Sequence, residues 1–242
     1  MAFEPVVAAC LEAITQAGTD VSTYLYGSVA TGMAVPGTSD VDILTIGLPE
    51  VDAVRLGREL SERFEGLSRG IQIGAAQPEH FFGKGDEAYG NRVFLRHYCT
   101  PLDGPDLSAE WPEFPADIHA ARGLNGDIGR RLDEWRSALR LADEDSQGVV
   151  ALARRAARKT LFATAGLVSV TEGTWTTDRG TAAARGAVVK PALAEGLGNL
   201  SLWSEGHAES GRAELEASLH TGGVVDEVMR EFCDVIGLWT GR

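Results

Sequence analysis

Hydrophobic and polar positions in the N-terminal part of the chain alternate between two periods. Residues 5–17, PVVAACLEAITQA, place Val6, Cys10, Leu11 and Ile14 at helical spacing, and Gly18 closes the run. VSTYLYG (21–27) and DVDILTIG (40–47) read as strands, and the short loop between them predicts that they pair. EVDAVRLGRELSERFEG (50–66) predicts an amphipathic helix with Val54, Leu56 and Leu60 turned inward. RGIQIGAAQ (69–77) predicts a third, shorter strand, and a helix is expected near 87–98.

From about residue 115 the pattern becomes helical throughout. SQGVVALARRAARKTLFATAGLVSV (146–170) sets Val149, Leu152, Ala156, Leu161, Thr164 and Val168 on or near one face of a long helix. The segment 211–239 predicts one helix, or two broken near Gly222-Gly223. Strands early and helices late define an α+β class: an N-terminal domain with a small mixed sheet over 1–114, then an all-α helical bundle over 115–242. The boundary is drawn at PEFPAD, where Pro112 and Pro115 interrupt the pattern.

Composition narrows the partners. The 242 residues carry a formal net charge of −13, which argues against a nucleic-acid backbone as the main partner and suits a cationic one. Three widely spaced cysteines, Cys10, Cys99 and Cys233, form no metal-ligand pattern and read as reduced thiols, so a cytoplasmic location is expected. No apolar run reaches the length of about 18 residues that marks a membrane-spanning helix, and no membrane partner is expected. Nothing in the sequence sets an oligomeric state.

The chemistry concentrates in YGSVATGMAVPGTSDVDILTIG (26–47). Side chains along a strand alternate, so Asp40 and Asp42 share one face while Val41 and Ile43 take the other. Two like charges that close are costly unless a cation lies between them. Mg²⁺ is the hard cation that such carboxylates hold together with substrate phosphates. Gly27 lets a phosphate approach the backbone, and the Ser28 hydroxyl adds a donor. Ser39 precedes the pair. One arm grips phosphate and the other grips metal, the equipment of phosphoryl or nucleotidyl transfer.

This stretch resembles the signature of the nucleotidyltransferases of the DNA polymerase β superfamily, and the whole chain resembles the aminoglycoside adenylyltransferases that modify streptomycin and spectinomycin. LDGPDL and the helix, turn and helix of ALARRAARKTLFATAGLVSVTEGTWTTDRGTAAARGA add to that likeness. The resemblance implies two Mg²⁺ ions on Asp40 and Asp42, with Gly27 and Ser28 on the triphosphate. It also implies ATP as the donor of AMP and a hydroxyl on a small cationic molecule as the acceptor. Arg179 matches the group's basic residue after the turn, and Asp143, Glu144 and Asp145 match its acidic segment for the acceptor's ammonium groups. Trp175, in a polar turn, joins them as a substrate-side candidate.

The resemblance also implies a third carboxylate on the next strand, where this chain has Gln72. An amide neither neutralises Mg²⁺ nor takes a proton. Glu65, Glu79 and Asp86 are the carboxylates available instead, and Glu79, just past the strand, is the expected stand-in as a catalytic group. With Gln72 in that place, two other readings stay open: a regulatory or interaction protein that binds nucleotide without turnover, and a transferase acting on a protein. Arg154 and Arg158 belong to a run of like charges on one helix. They either face the triphosphate or pair with surface carboxylates.

Overall fold

The computed structural model describes residues 2–142, 147–175, 178–206 and 211–240. The chain divides into two compact units, residues 1–83 with 91–113 and residues 84–90 with 114–242. Residues 84–90 thus belong with the helical unit, which a single cut in the sequence does not show.

The first unit starts with α1 (Glu4–Ala17), β1 (Ser22–Tyr26), the short turn α2 (Gly27–Ala30) and β2 (Val41–Ile46). It continues with α3 (Glu50–Arg63), β3 (Ile71–Ala76), α4 (Glu79–Phe82), α5 (Asp86–Tyr98) and β4 (Thr100–Asp103). The first turn of α5 belongs to the second unit. The strands form one mixed sheet in the order β3-β2-β1-β4. β1 runs antiparallel to β2 and β4, whereas β2 and β3 are parallel and joined through α3, because parallel neighbours need a crossover and a helix supplies it.

Alternation decides what each face of the sheet meets. Val41, Ile43, Ile71, Ile73 and Leu25 point to one side and pack with Val6, Cys10 and Ile14 of α1 and with Leu56 and Leu60 of α3. The other side carries Tyr24 and Ile46, which cluster with Phe81 and Leu95. Asp42, Tyr26 and Gln72 share that second side, away from the α1–α3 core. α3 buries Ala53, Leu56, Gly57 and Leu60, a regular helical stripe, while Val54 is 65% exposed. The sequence expectation for Val54 is corrected: its phase, not its apolarity, decides its side.

The second unit contains α6 (Ile118–Asn125), α7 (Ile128–Leu141), α8 (Gln147–Glu172), α9 (Arg179–Val189), α10 (Ala194–Glu205), α11 (Arg212–Leu219) and α12 (Val224–Val235). α8 is its axis. Val149, Leu152, Ala156, Leu161, Thr164 and Val168 are all buried along it, and Thr160 and Thr164 satisfy their hydroxyls on the carbonyls of Ala156 and Thr160. The segment 211–239 forms two helices, parted at Gly222-Gly223. No described helix is long and apolar enough to cross a membrane.

Candidate active site

The site lies in the first unit, where β1 ends and β2 begins. The chain leaves Tyr26 in an extended conformation and turns at Gly27, whose φ of +73° favours glycine. A second demand falls on Gly27, since a Cβ there would lie 2.4 Å from Asp42 Oδ2. The turn is held by Thr31, whose hydroxyl reaches the carbonyls of Gly27 at 3.3 Å and Ser28 at 3.2 Å. Gly27 therefore starts the turn with its backbone beside the Asp42 carboxylate, and Ser28 follows it.

The loop that returns to β2 is tied on both sides. Ser39 Oγ accepts from the Val35 amide at 2.9 Å, and the Ser39 amide donates back to the Val35 carbonyl at 2.9 Å. The Gly37 amide donates to the Leu67 carbonyl at 2.8 Å, and the Arg69 amide donates to the Ser39 carbonyl at 3.1 Å. These bonds place Asp40 immediately before β2 and bring Arg69 to it. Ser39 is thus a loop-closing residue as well as a neighbour of the carboxylates.

Arg69 forms a two-pronged ion pair with Asp40, with Nε on Oδ1 at 2.8 Å and Nη2 on Oδ2 at 2.5 Å. The side chains are 29% and 11% exposed, so water screens the pair only in part. The bond to Asp40 raises the already high Arg69 pKa against a smaller opposing effect of burial, and the Asp42 charge adds to the rise. A guanidinium fork matches a carboxylate in geometry as well as charge. Arg69 carries no periodic signature in sequence. The available signal was a lone cation entering the strand beside the two aspartates.

Across the parallel pair, Asp42 stands opposite Gln72. The third acid implied by the family resemblance is an amide here by direct register. The strand register does not bring Glu79, the expected stand-in, beside Asp42. In parallel strands Ile46 faces Ala76, so Glu79 follows the far end of β3, and the steps from Gln72 to Ala76 alone span about 13 Å. Asp86 binds Arg122 at 3.1 Å and the Thr240 amide at 3.1 Å within the second unit. A surface depression of about 380 Å³ opens beside β3, with Tyr26, Gly57, Arg58, Ser61, Gln72 and Gly74 in its wall.

The donors present fit a divalent ion. Asp40 and Asp42 both act on the Arg69 guanidinium, which already neutralises Asp40, and Gly27 keeps the space beside Asp42 clear of a side chain. Among the described residues no group of three or more His, Cys, Asp or Glu side chains could hold a metal. A divalent ion held by Asp40 and Asp42 would need phosphate or water oxygens to complete its shell.

The remaining sequence candidates lie in the second unit. Arg158 Nε donates to the Ser204 carbonyl at 3.2 Å, and Arg154 lies against Gly206, so that a Cβ there would come 2.6 Å from Arg154 Nη2. Both cations thus sit at the C-terminal end of α10, where a helix favours positive charge. Arg179 is exposed at the first position of α9, which is capped by Asp178 accepting from the Thr181 amide at 2.6 Å. Trp175 is partly buried just before that helix. Asp143, Glu144 and Asp145 lie outside the described residues.

Residues 7–78 match the family model for the nucleotidyltransferase domain. This is the segment that carries the Gly27-Ser28 turn, both aspartates and Gln72. Residues 7–78 thus carry an enzyme domain of the nucleotidyltransferase type, and the fold of the whole chain is similar to that of a solved adenyltransferase. A solved structure of spectinomycin adenyltransferase AAD(9) from Enterococcus faecialis, with ATP and spectinomycin, superposes with a TM-score of 0.57 at 11% identity. The match covers 96% of this chain and 98% of that one. No curated protein matches the chain.

Proposed function

We infer that the chain moves AMP from ATP to a hydroxyl of a small cationic acceptor, releasing pyrophosphate. The observation that carries this reading is the close approach of the Gly27 backbone to the Asp42 carboxylate, two residues after Asp40 at the start of β2. Asp40 and Asp42 hold Mg²⁺, which when bound neutralises the triphosphate and polarises the phosphorus under attack. Gly27 leaves room for phosphate oxygens, and Ser28 donates to them. Ser39 and Arg69 fix the loop that presents Asp40. Arg179 is assigned to the triphosphate by resemblance; Arg154, Arg158, Trp175 and the 143–145 acids are weaker candidates of the same kind.

The net charge of −13 favours a cationic acceptor, and the structural neighbour was solved with ATP and spectinomycin. The test is to incubate the chain with ATP, Mg²⁺ and a panel containing spectinomycin and streptomycin, then look by mass spectrometry for an acceptor heavier by one AMP. A panel without any such product removes the small cationic acceptor from the proposal.

One observation favours a second reading. Gln72, opposite Asp42, takes no proton from an attacking hydroxyl. A chain that binds ATP but leaves it intact across the panel would be a nucleotide-binding regulator, and labelling of a protein band by ATP in lysate would instead identify a protein acceptor.

A further inference from the structure

The ion pair between Arg69 and Asp40 is more than a loop fastening, because it sits on a carboxylate that the reading above gives to Mg²⁺. We propose that Arg69 is a built-in counter-cation that holds Asp40 in the place of the divalent ion, so that the site loads by exchange. The guanidinium leaves Asp40 as the ion arrives. This inference rests on the assignment of Asp40 and Asp42 as the metal pair.

The geometry supports exchange rather than coexistence. Both oxygens of Asp40 are engaged by the guanidinium, Oδ1 by Nε and Oδ2 by Nη2. A hard cation needs at least one of those oxygens, and two positive groups on one carboxylate repel. The backbone of Arg69 is anchored separately, through its amide on the Ser39 carbonyl at 3.1 Å. The side chain can therefore release Asp40 by rotating its own torsions while the loop stays in place. Its 29% exposure leaves it a path to water.

The consequence is an ordering of events. Without substrate, the guanidinium cancels one of the two negative charges, and the pair avoids the repulsion that bare neighbouring carboxylates would suffer. The same cancellation weakens binding of a free divalent ion. An ion that arrives with a triphosphate brings oxygen ligands of its own and has less to ask of the protein. Arg69 thus biases the site toward the ion–nucleotide complex over the ion alone.

The test titrates Mn²⁺ into the full chain without nucleotide, reading free Mn²⁺ by electron paramagnetic resonance. Arg69→Ala should bind Mn²⁺ at least about tenfold more tightly than the parent chain, Arg69→Lys should gain less, and added guanidinium chloride should compete with Mn²⁺ in Arg69→Ala. Equal or weaker binding in a folded Arg69→Ala overturns the proposal. A measurement on the unsubstituted chain guards against a variant that fails to fold. The Arg69 Nε–H signal, followed by nitrogen-15 NMR, should lose its protection from exchange as Mg²⁺ saturates the site, and a signal that stays protected also overturns the exchange. Adding Asp40→Asn to Arg69→Ala separates the two levels. If that change abolishes Mn²⁺ binding while Arg69→Ala alone does nothing, only the exchange falls. If Mn²⁺ binding ignores Asp40, the assignment of the metal pair falls with it.

Discussion

Asp42 of β2 and Gln72 of β3 stand directly opposite each other on one face of the sheet. Neighbouring strands are about 4.8 Å apart, so an acid at position 72 would reach the same ion as Asp42. The amide there accepts and donates hydrogen bonds but adds no charge and takes no proton.

Gln72→Glu should therefore restore a third carboxylate. In EDTA the added charge beside Asp42 lowers the melting temperature, and Mg²⁺ returns it, because like charges that close need a cation. If proton removal limits transfer, kcat rises by a factor on the order of 10²–10⁴, the usual contribution of a general base. Differential scanning fluorimetry with and without Mg²⁺ reads the first effect, and steady-state pyrophosphate release the second.

Gly27→Ala combines two penalties. A positive φ of +73° costs a side-chain-bearing residue about 1–2 kcal/mol. The new Cβ would also lie 2.4 Å from Asp42 Oδ2, which must shift. Urea unfolding should show the loss of stability, and ATP–Mg²⁺ binding by calorimetry should weaken by more than the stability change alone accounts for.

The sequence made much of this site legible, and the limits have physical causes. The strands around Asp40, Asp42 and Gln72 were readable because alternation marks a half-buried sheet. Gln72 as the answering position came from the family resemblance, and the parallel register sets it opposite Asp42. Glu79 lies just past β3 in sequence, but parallel pairing sets that end of β3 beside Ile46 and not beside Asp42. Arg69 was missed because its partner lies 29 positions away and no periodicity links them. β4 escaped notice as an edge strand of four residues containing Pro101, a place where a sheet tolerates proline. The long stripe of α8 was readable, but the assignment of 84–90 to the helical unit depends on backbone packing that no side-chain pattern announces.

That packing gives a third prediction. Within the helical unit, Gly90 of α5 meets Gly123 of α6 so closely that a Cβ on Gly90 would lie 2.1 Å from the Gly123 carbonyl carbon. Gly90→Ala should force the helices apart and destabilise the unit by about 1–3 kcal/mol or more. Chemical denaturation followed by circular dichroism at a helix band measures it.

Acid stability should depend on buried aspartates of the helical unit. Burial works to raise the Asp226 carboxyl, but the Gly222 amide at 3.0 Å and Arg136 at 2.8 Å outweigh it, and its pKa falls below the ordinary 3.8. Asp127 behaves alike: burial opposes, while Lys159 at 2.7 Å and Arg131 at 2.9 Å prevail. A depressed carboxyl stabilises the fold above its unfolded value, and that contribution is lost as pH falls through the folded value. Melting temperature should therefore hold near neutrality and drop below about pH 4. Asp226→Asn should cost about 1–3 kcal/mol at pH 7 and flatten the acid limb.

The central claim is that Asp40 and Asp42 serve nucleotidyl transfer. The most direct measurement is pyrophosphate release from ATP with Mg²⁺, with and without spectinomycin and streptomycin, for the parent chain and for Asp42→Asn. The account predicts release that depends on the acceptor and falls by about 10³-fold or more in Asp42→Asn, whose fold persists. Release at an undiminished rate in that variant would contradict it.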